Sequence, residues 1–150
     1  MSTRKLLLFR ACGRVFAVDA GVVREILPAS PATRIPGAPV AVRGLVNVRG
    51  TLVTVVDAAL AIGLADAPAA GGAGAEGAGA AGTLVLLELR SCPVGLVVDE
   101  VLDLLEVGDR ALAPGPAEGV RPGVAAATGA VGGEPFVELA ADVLLEPLLA

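Results

Sequence analysis

Val40-Ala-Val-Arg-Gly-Leu-Val-Asn-Val-Arg-Gly-Thr-Leu-Val-Thr-Val-Val-Asp57 is the stretch whose reading decides the fold. Its β-branched residues suit a pleated surface, and Arg49-Gly50 is a turn signal between two runs of them. The second run is apolar on both faces, as in a strand that lies in a barrel wall or at the centre of a sandwich. Two strands joined at Arg49-Gly50 are therefore expected.

Upstream, Leu6-Leu-Leu-Phe9 and Val15-Phe-Ala-Val18 flank Ala11-Cys-Gly-Arg14, where Gly13 offers the positive φ of a hairpin turn. Val22-Val-Arg-Glu-Ile-Leu27 follows and is closed by Pro28. Residues 29–39 hold Pro31, Pro36 and Pro39, which predicts an exposed irregular connection. Downstream, Asp57 is placed to cap one or two helical turns over Ala58–Leu64, with Gly63 as the stop.

Residues 65–82 are almost wholly Ala and Gly. Such a segment has no large side chains to bury against its own conformational entropy, so a flexible loop is expected there. Strand patterns resume at Thr83–Leu89 and Pro93–Leu105, and the tail from Val124 reads as a Gly-broken strand pair and a Leu-rich helix. Phe16-Ala-Val-Asp19 resembles Leu96-Val-Val-Asp99, and Gly44-Leu-Val46 resembles Gly129-Ala-Val131, which implies two similar halves.

The chain of 150 residues suits one domain, taken here as residues 4–149. With three Phe and no Trp or Tyr, its core must be filled by Val, Leu and Ile. The longest charge-free stretch is the 12 residues from Pro122 to Gly133, too short and too rich in Gly to span a bilayer. Arg10 interrupts the apolar run near the start too early for a secretory signal, so a cytoplasmic protein without direct membrane insertion is expected.

Eleven basic against sixteen acidic residues give a net charge of -5, and no basic stripe interleaved with aromatics appears. Protein partners fit this balance better than nucleic acid. Cys12 and Cys92 stand far apart in a chain without His, so neither a zinc site nor a Cys/His nucleophile can be assembled. The two are expected to be buried or half-buried thiols.

Gly72-x-Gly74-x-x-Gly77 has the form of a dinucleotide fingerprint, but it precedes a strand where the true motif follows one. A second match, Gly77-x-Gly79-x-x-Gly82, overlaps it, as expected of a repetitive tract. Among the acids Asp57, Glu88, Asp99, Glu100, Asp103 and Glu106, none has a His, Tyr or well-placed Lys beside it to complete an acid/base pair. Asp99 at a strand end is expected to accept turn N–H bonds. The sequence thus points to no catalytic, cofactor or metal site, and the NAD-binding alternative rests on the glycine tract alone.

Arg49 is different. A guanidinium at a tight turn is exposed by geometry and offers a planar fork of donors to a partner.

Read in order, Val22-Val-Arg-Glu-Ile-Leu27, Thr33-Arg-Ile-Pro-Gly-Ala-Pro39, Val42-Arg-Gly-Leu-Val-Asn-Val-Arg-Gly50 and Val53-Thr-Val-Val-Asp57 resemble the CheW-like family of bacterial chemosensory adaptors. Pro93-Val-Gly-Leu-Val-Val-Asp-Glu-Val101 resembles that family's second-half element, so the likeness runs from Leu6 to Leu145. Thr54, Ala58 and Ala140 depart from the family pattern, as does the Ala/Gly insertion.

The resemblance implies an all-β fold with short helices, built as two SH3-like five-stranded β-barrels around a shared core. It implies a non-enzymatic scaffold that joins the cytoplasmic tip of methyl-accepting chemoreceptors to the CheW-like regulatory domain of a CheA-type histidine kinase, in ring-like arrays. Its receptor-facing residues map onto Val23, Glu25, Gly44, Asn47, Arg49 and Gly50, and a kinase-facing surface onto Val94, Gly95, Val98 and Val101. A CheW-like module of a motility or developmental pathway, or a CheV-type regulator, is the alternative within the same class.

Overall fold

The computed structural model describes residues 3–63, 82–108, 113–114, 124–131 and 133–149. Strands β1 (Thr3–Ala11) and β2 (Arg14–Asp19) form the opening hairpin, and a 3-10 turn at Ala20–Val22 leads into β3 (Val23–Pro28). Strands β4 (Val42–Val48) and β5 (Thr51–Asp57) follow, then helix α1 (Ala58–Ile62), whose first turn is capped by the Asp57 carboxylate accepting from Leu60 N–H. Next come β6 (Thr83–Leu89), β7 (Cys92–Val98), β8 (Glu100–Gly108), β9 (Ala113–Pro114), β10 (Ala125–Val131), β11 (Glu134–Leu139) and α2 (Ala141–Leu149).

The strands form two sheets. One has the order β8-β1-β2-β11-β10-β9, five long strands extended by the two-residue β9, and the other has the order β3-β6-β7-β5-β4. The expected division into a first and a second half of the chain does not hold. The first sheet takes strands from both ends of the sequence and the second sheet takes the middle, because β11 pairs in parallel with β2 and β5 with β7.

Each sheet is apolar on both faces, for the reason visible in Val53–Val56. In β1, Leu6 and Leu8 enter a cluster with Val15, Val107 and Phe136 that belongs to the first sheet alone. The alternate residues Leu7 and Phe9 point the other way, into a larger cluster with Phe16 and Val18 of their own sheet and Val56, Val85, Leu96 and Val98 of the second. A third cluster, Val46, Val55, Leu84 and Val97, is private to the second sheet. Two barrel interiors and one shared core are the result, and Leu144 and Leu145 of α2 seal the shared one. Fully burying each such side chain stabilises the fold by about 1.5–3 kcal/mol.

Three two-residue turns have both central residues at positive φ: Cys12-Gly13 (53° and 77°), Arg49-Gly50 (51° and 85°) and Arg90-Ser91 (49° and 64°). This geometry matches the right-handed twist of the strands that flank it. Asp99 caps the first of them, its Oδ2 accepting from Cys12 N–H at 3.0 Å, which is the structural role its strand-end position suggested.

The expectation of buried thiols is corrected: Cys12 sits at a turn tip and Cys92 opens β7, and both are exposed. Among the described residues no group of three metal-ligating side chains forms and no helix is long and apolar enough to cross a membrane. The expected loop at 65–82 lies outside the described residues except for Gly82, whose carbonyl accepts from Ala29 N–H.

Candidate protein-interaction site

In the second sheet, β3 and β4 are the two edges, and the chain between them decides how the barrel closes. The Pro-rich connection is not irregular throughout. Thr33 forms an antiparallel bridge to Leu45, with Thr33 N–H donating to Leu45 O and Leu45 N–H donating to Thr33 O, both at 2.8 Å. Ala29 and Ala32 of the same segment pack on the barrel interior.

This clip requires Gly44. The residue is buried at φ 144°, and a Cβ there would stand 2.0 Å from Thr33 O. Absence of a side chain lets the connection lie directly on β4. Gly44 therefore acts beneath the surface, on the seam of the barrel.

The seam is closed a second time by charge. Arg49, at the tip of the β4–β5 hairpin, pairs with Glu25 of β3. The guanidinium is 75% exposed and the carboxylate 25%, so the pair presents its cation to solvent. Asn47 supports the tip, its Oδ1 accepting from Gly50 N–H at 2.8 Å, which satisfies a backbone donor inside the turn. Four of the six receptor-facing candidates, Glu25, Asn47, Arg49 and Gly50, are thus brought to one exposed end. Val23 packs half-buried against the shared core, and Gly44 lies inside the seam.

The kinase-facing candidates fall differently. Val94 and Val98 are core residues with 0% and 2% exposure, and Gly95 lies under Leu84. Their side chains have no surface to offer, because β7 is the central strand of its sheet and is covered on both faces. Val101 alone is half-buried rather than buried.

Large apolar residues that the sequence reading does not single out are exposed on both sheets. Leu52 of β5 is 65% exposed opposite Asn47, and Ile26 of β3 and Leu104 of β8 are 45% and 53% exposed. In sequence they are ordinary members of apolar runs, and only the end of each sheet's cover reveals them.

The family model for the CheW-like domain matches residues 5–147. The chain belongs to the CheW-like family. It is 34% identical over 113 residues to the chemotaxis protein CheW of Rhizobium meliloti (strain 1021), covering 75% of this chain and 67% of that protein. It is 25% identical over 117 residues to the chemotaxis protein CheW of Bacillus subtilis (strain 168), covering 78% of this chain and 69% of that one. The crystal structure of the scaffolding protein TtCheW from Thermoanaerobacter tengcongensis superposes with a TM-score of 0.79 at 18% identity, covering 97% of this chain and 94% of the other. The CheW-like fold is therefore shared across nearly the whole chain, with its two SH3-like barrels, while the surfaces are free to differ.

Proposed function

We propose that this CheW-like chain is a coupling scaffold of a chemosensory array. Residues 4–149 act as one unit that holds the cytoplasmic tip of a chemoreceptor and a CheA-type histidine kinase in fixed geometry, in the cytoplasm, and perform no chemistry. The receptor docks on the end of the second barrel marked by Val23, Glu25, Asn47, Arg49 and Gly50, with Gly44 holding the seam beneath.

The observation that carries this reading is the Glu25–Arg49 pair, which links edge strand β3 to the β4–β5 tip at the other edge of the second sheet and leaves its guanidinium facing out. For the kinase the exposed Leu52 is a better anchor than the buried valines of β7, since hot spots need an accessible apolar side chain.

The test is capture of a purified receptor cytoplasmic fragment and of the kinase regulatory domain by wild type, Arg49→Glu, and the charge-swapped pair Glu25→Arg with Arg49→Glu. Loss of receptor alone in the single variant, without recovery in the swap, is expected. Recovery in the swap would reduce the pair to a seam lock, and capture of neither partner by wild type would end the scaffold reading.

A further inference from the structure

Strand β8 ends the first sheet: β1 runs antiparallel along one side of it, and among the described residues no strand lies on the other. A bare edge offers backbone N–H and C=O groups to any chain that can pair with it, and native edges are guarded by charge or by a bulge. This one has both. The register to β1 slips between Leu8 and Phe9, which leaves Leu102 as the extra residue, and Glu100, Asp103 and Glu106 are exposed along the strand.

Asp103 is the guard closest to the backbone. Its Oδ1 accepts from Leu104 N–H at 2.7 Å, so the carboxylate occupies a main-chain donor of the edge strand itself. The two other acids have cations across the ladder. Glu100 lies 3.6 Å from Arg10, which it shares with Glu134, and Glu106 stands opposite Lys5. Asp103 has no ion pair among the described residues. Beside it, Leu102 and Leu104 are 38% and 53% exposed.

The strand reads nearly the same in both directions. In Glu100-Val-Leu-Asp-Leu-Leu-Glu106, Asp103 is flanked by Leu102 and Leu104, then by Val101 and Leu105, then by Glu100 and Glu106. A two-fold contact requires one patch to complement itself. Antiparallel pairing of β8 with β8 of a second copy, centred on Asp103, sets Leu102 of each copy against Leu104 of the other. The same register sets Asp103 against Asp103 and Glu100 against Glu106, and like charges directly opposite destabilise a strand pair. Apolar match and charge mismatch thus share one register, with the uncompensated charge at its centre.

We propose that two copies of this chain join antiparallel along β8, on a two-fold axis at Asp103, and that the facing Asp103 carboxylates hold this pairing weak. The contact uses the first sheet alone and leaves the Glu25–Arg49 end of the second uncovered, so it does not depend on the scaffold reading.

Sedimentation equilibrium of the full chain tests it. Wild type is expected to self-associate with a Kd of about 1 mM and Asp103→Asn about ten-fold more tightly, since the amide oxygen still accepts from Leu104 N–H while the facing charges are gone. Leu104→Glu added to Asp103→Asn removes the gain. Disulfide formation in chains carrying Cys12→Ser and Cys92→Ser reads the register. Asp103→Cys cross-links two copies, because directly opposite strand residues have Cα atoms about 4.5–5.5 Å apart, within disulfide reach. Glu106→Cys faces Glu100 of the other copy and does not cross-link.

Asp103→Asn associating no more tightly than wild type, a gain that survives Leu104→Glu, or equal cross-linking at the two positions would overturn the proposal. Loss of receptor or kinase capture in Leu104→Glu, with no self-association in any variant, would assign the edge to that partner and overturn it too.

Discussion

Replacing Gly44 by Ala adds one carbon where the structure has no room for it. The new Cβ would sit 2.0 Å from the Thr33 carbonyl oxygen and 2.6 Å from its carbon, both backbone atoms that cannot rotate away. The connection must lift off β4, and the two bonds between Thr33 and Leu45 are lost, at about 1 kcal/mol each. A side chain held at φ 144° adds strain of about 1–3 kcal/mol. The expected cost is about 3–5 kcal/mol, a large part of the 5–15 kcal/mol typical of a domain. Urea unfolding followed by circular dichroism measures it, and with a slope of about 2 kcal/mol/M the midpoint falls by roughly 2 M. Gly50→Ala is the reference, because φ there is 85° but nothing lies within 4 Å, so only about 1 kcal/mol is expected. Equal losses for the two variants, or a loss below about 1 kcal/mol at Gly44, would refute the seam argument.

Four further outcomes are expected. Asn47→Ala removes the acceptor of Gly50 N–H and costs about 1 kcal/mol by denaturant unfolding, with receptor capture reduced because the Arg49 tip loosens. Val94→Ala and Val98→Ala each lower stability by about 2 kcal/mol and leave kinase capture by the folded fraction unchanged, whereas Leu52→Glu leaves stability within about 0.5 kcal/mol and abolishes kinase capture. Glu138 of β11, only 3% exposed, pairs with the half-exposed Arg4; Arg4→Ala strands that carboxylate and costs about 3–5 kcal/mol, while Glu138→Gln with Arg4 present costs less, a ranking that thermal unfolding reads directly. Gly95→Ala drives a Cβ to 2.6 Å from Leu84 Cδ1, a flexible terminus that can yield, so a milder loss of about 1–3 kcal/mol is expected by the same unfolding assay.

The strands and their turns were legible in the sequence because they obey local rules. Short apolar runs bounded by turn residues, rich in Val in β4, β5 and β7 and in Leu in β1 and β6, mark these strands, and the Arg49-Gly50 turn and the Asp57 cap follow from the conformations those residues favour. The family likeness was legible for a similar reason, since its motifs are the turn and seam residues themselves. The exposed placement of Arg49 also follows from its position in a two-residue turn, with no knowledge of any distant contact.

Partnership over distance was not legible. That Arg49 meets Glu25, that Thr33 clips onto Leu45, and that Arg90 stands beside Arg49 depend on which strands become neighbours. Pairings such as β5 with β7 and β2 with β11 join residues far apart in the chain, and no local propensity specifies them. The same holds for burial. Val94, Val98 and Leu52 are alike as letters in apolar runs, and only the stacking of one sheet on the other decides that the first two fill a core and the third faces water. Sequence by itself thus determined where the chain extends, turns and stops, because those choices are made within a few residues. The tertiary structure decided which side chains meet and which remain at the surface, because those outcomes are set by whole sheets packing together.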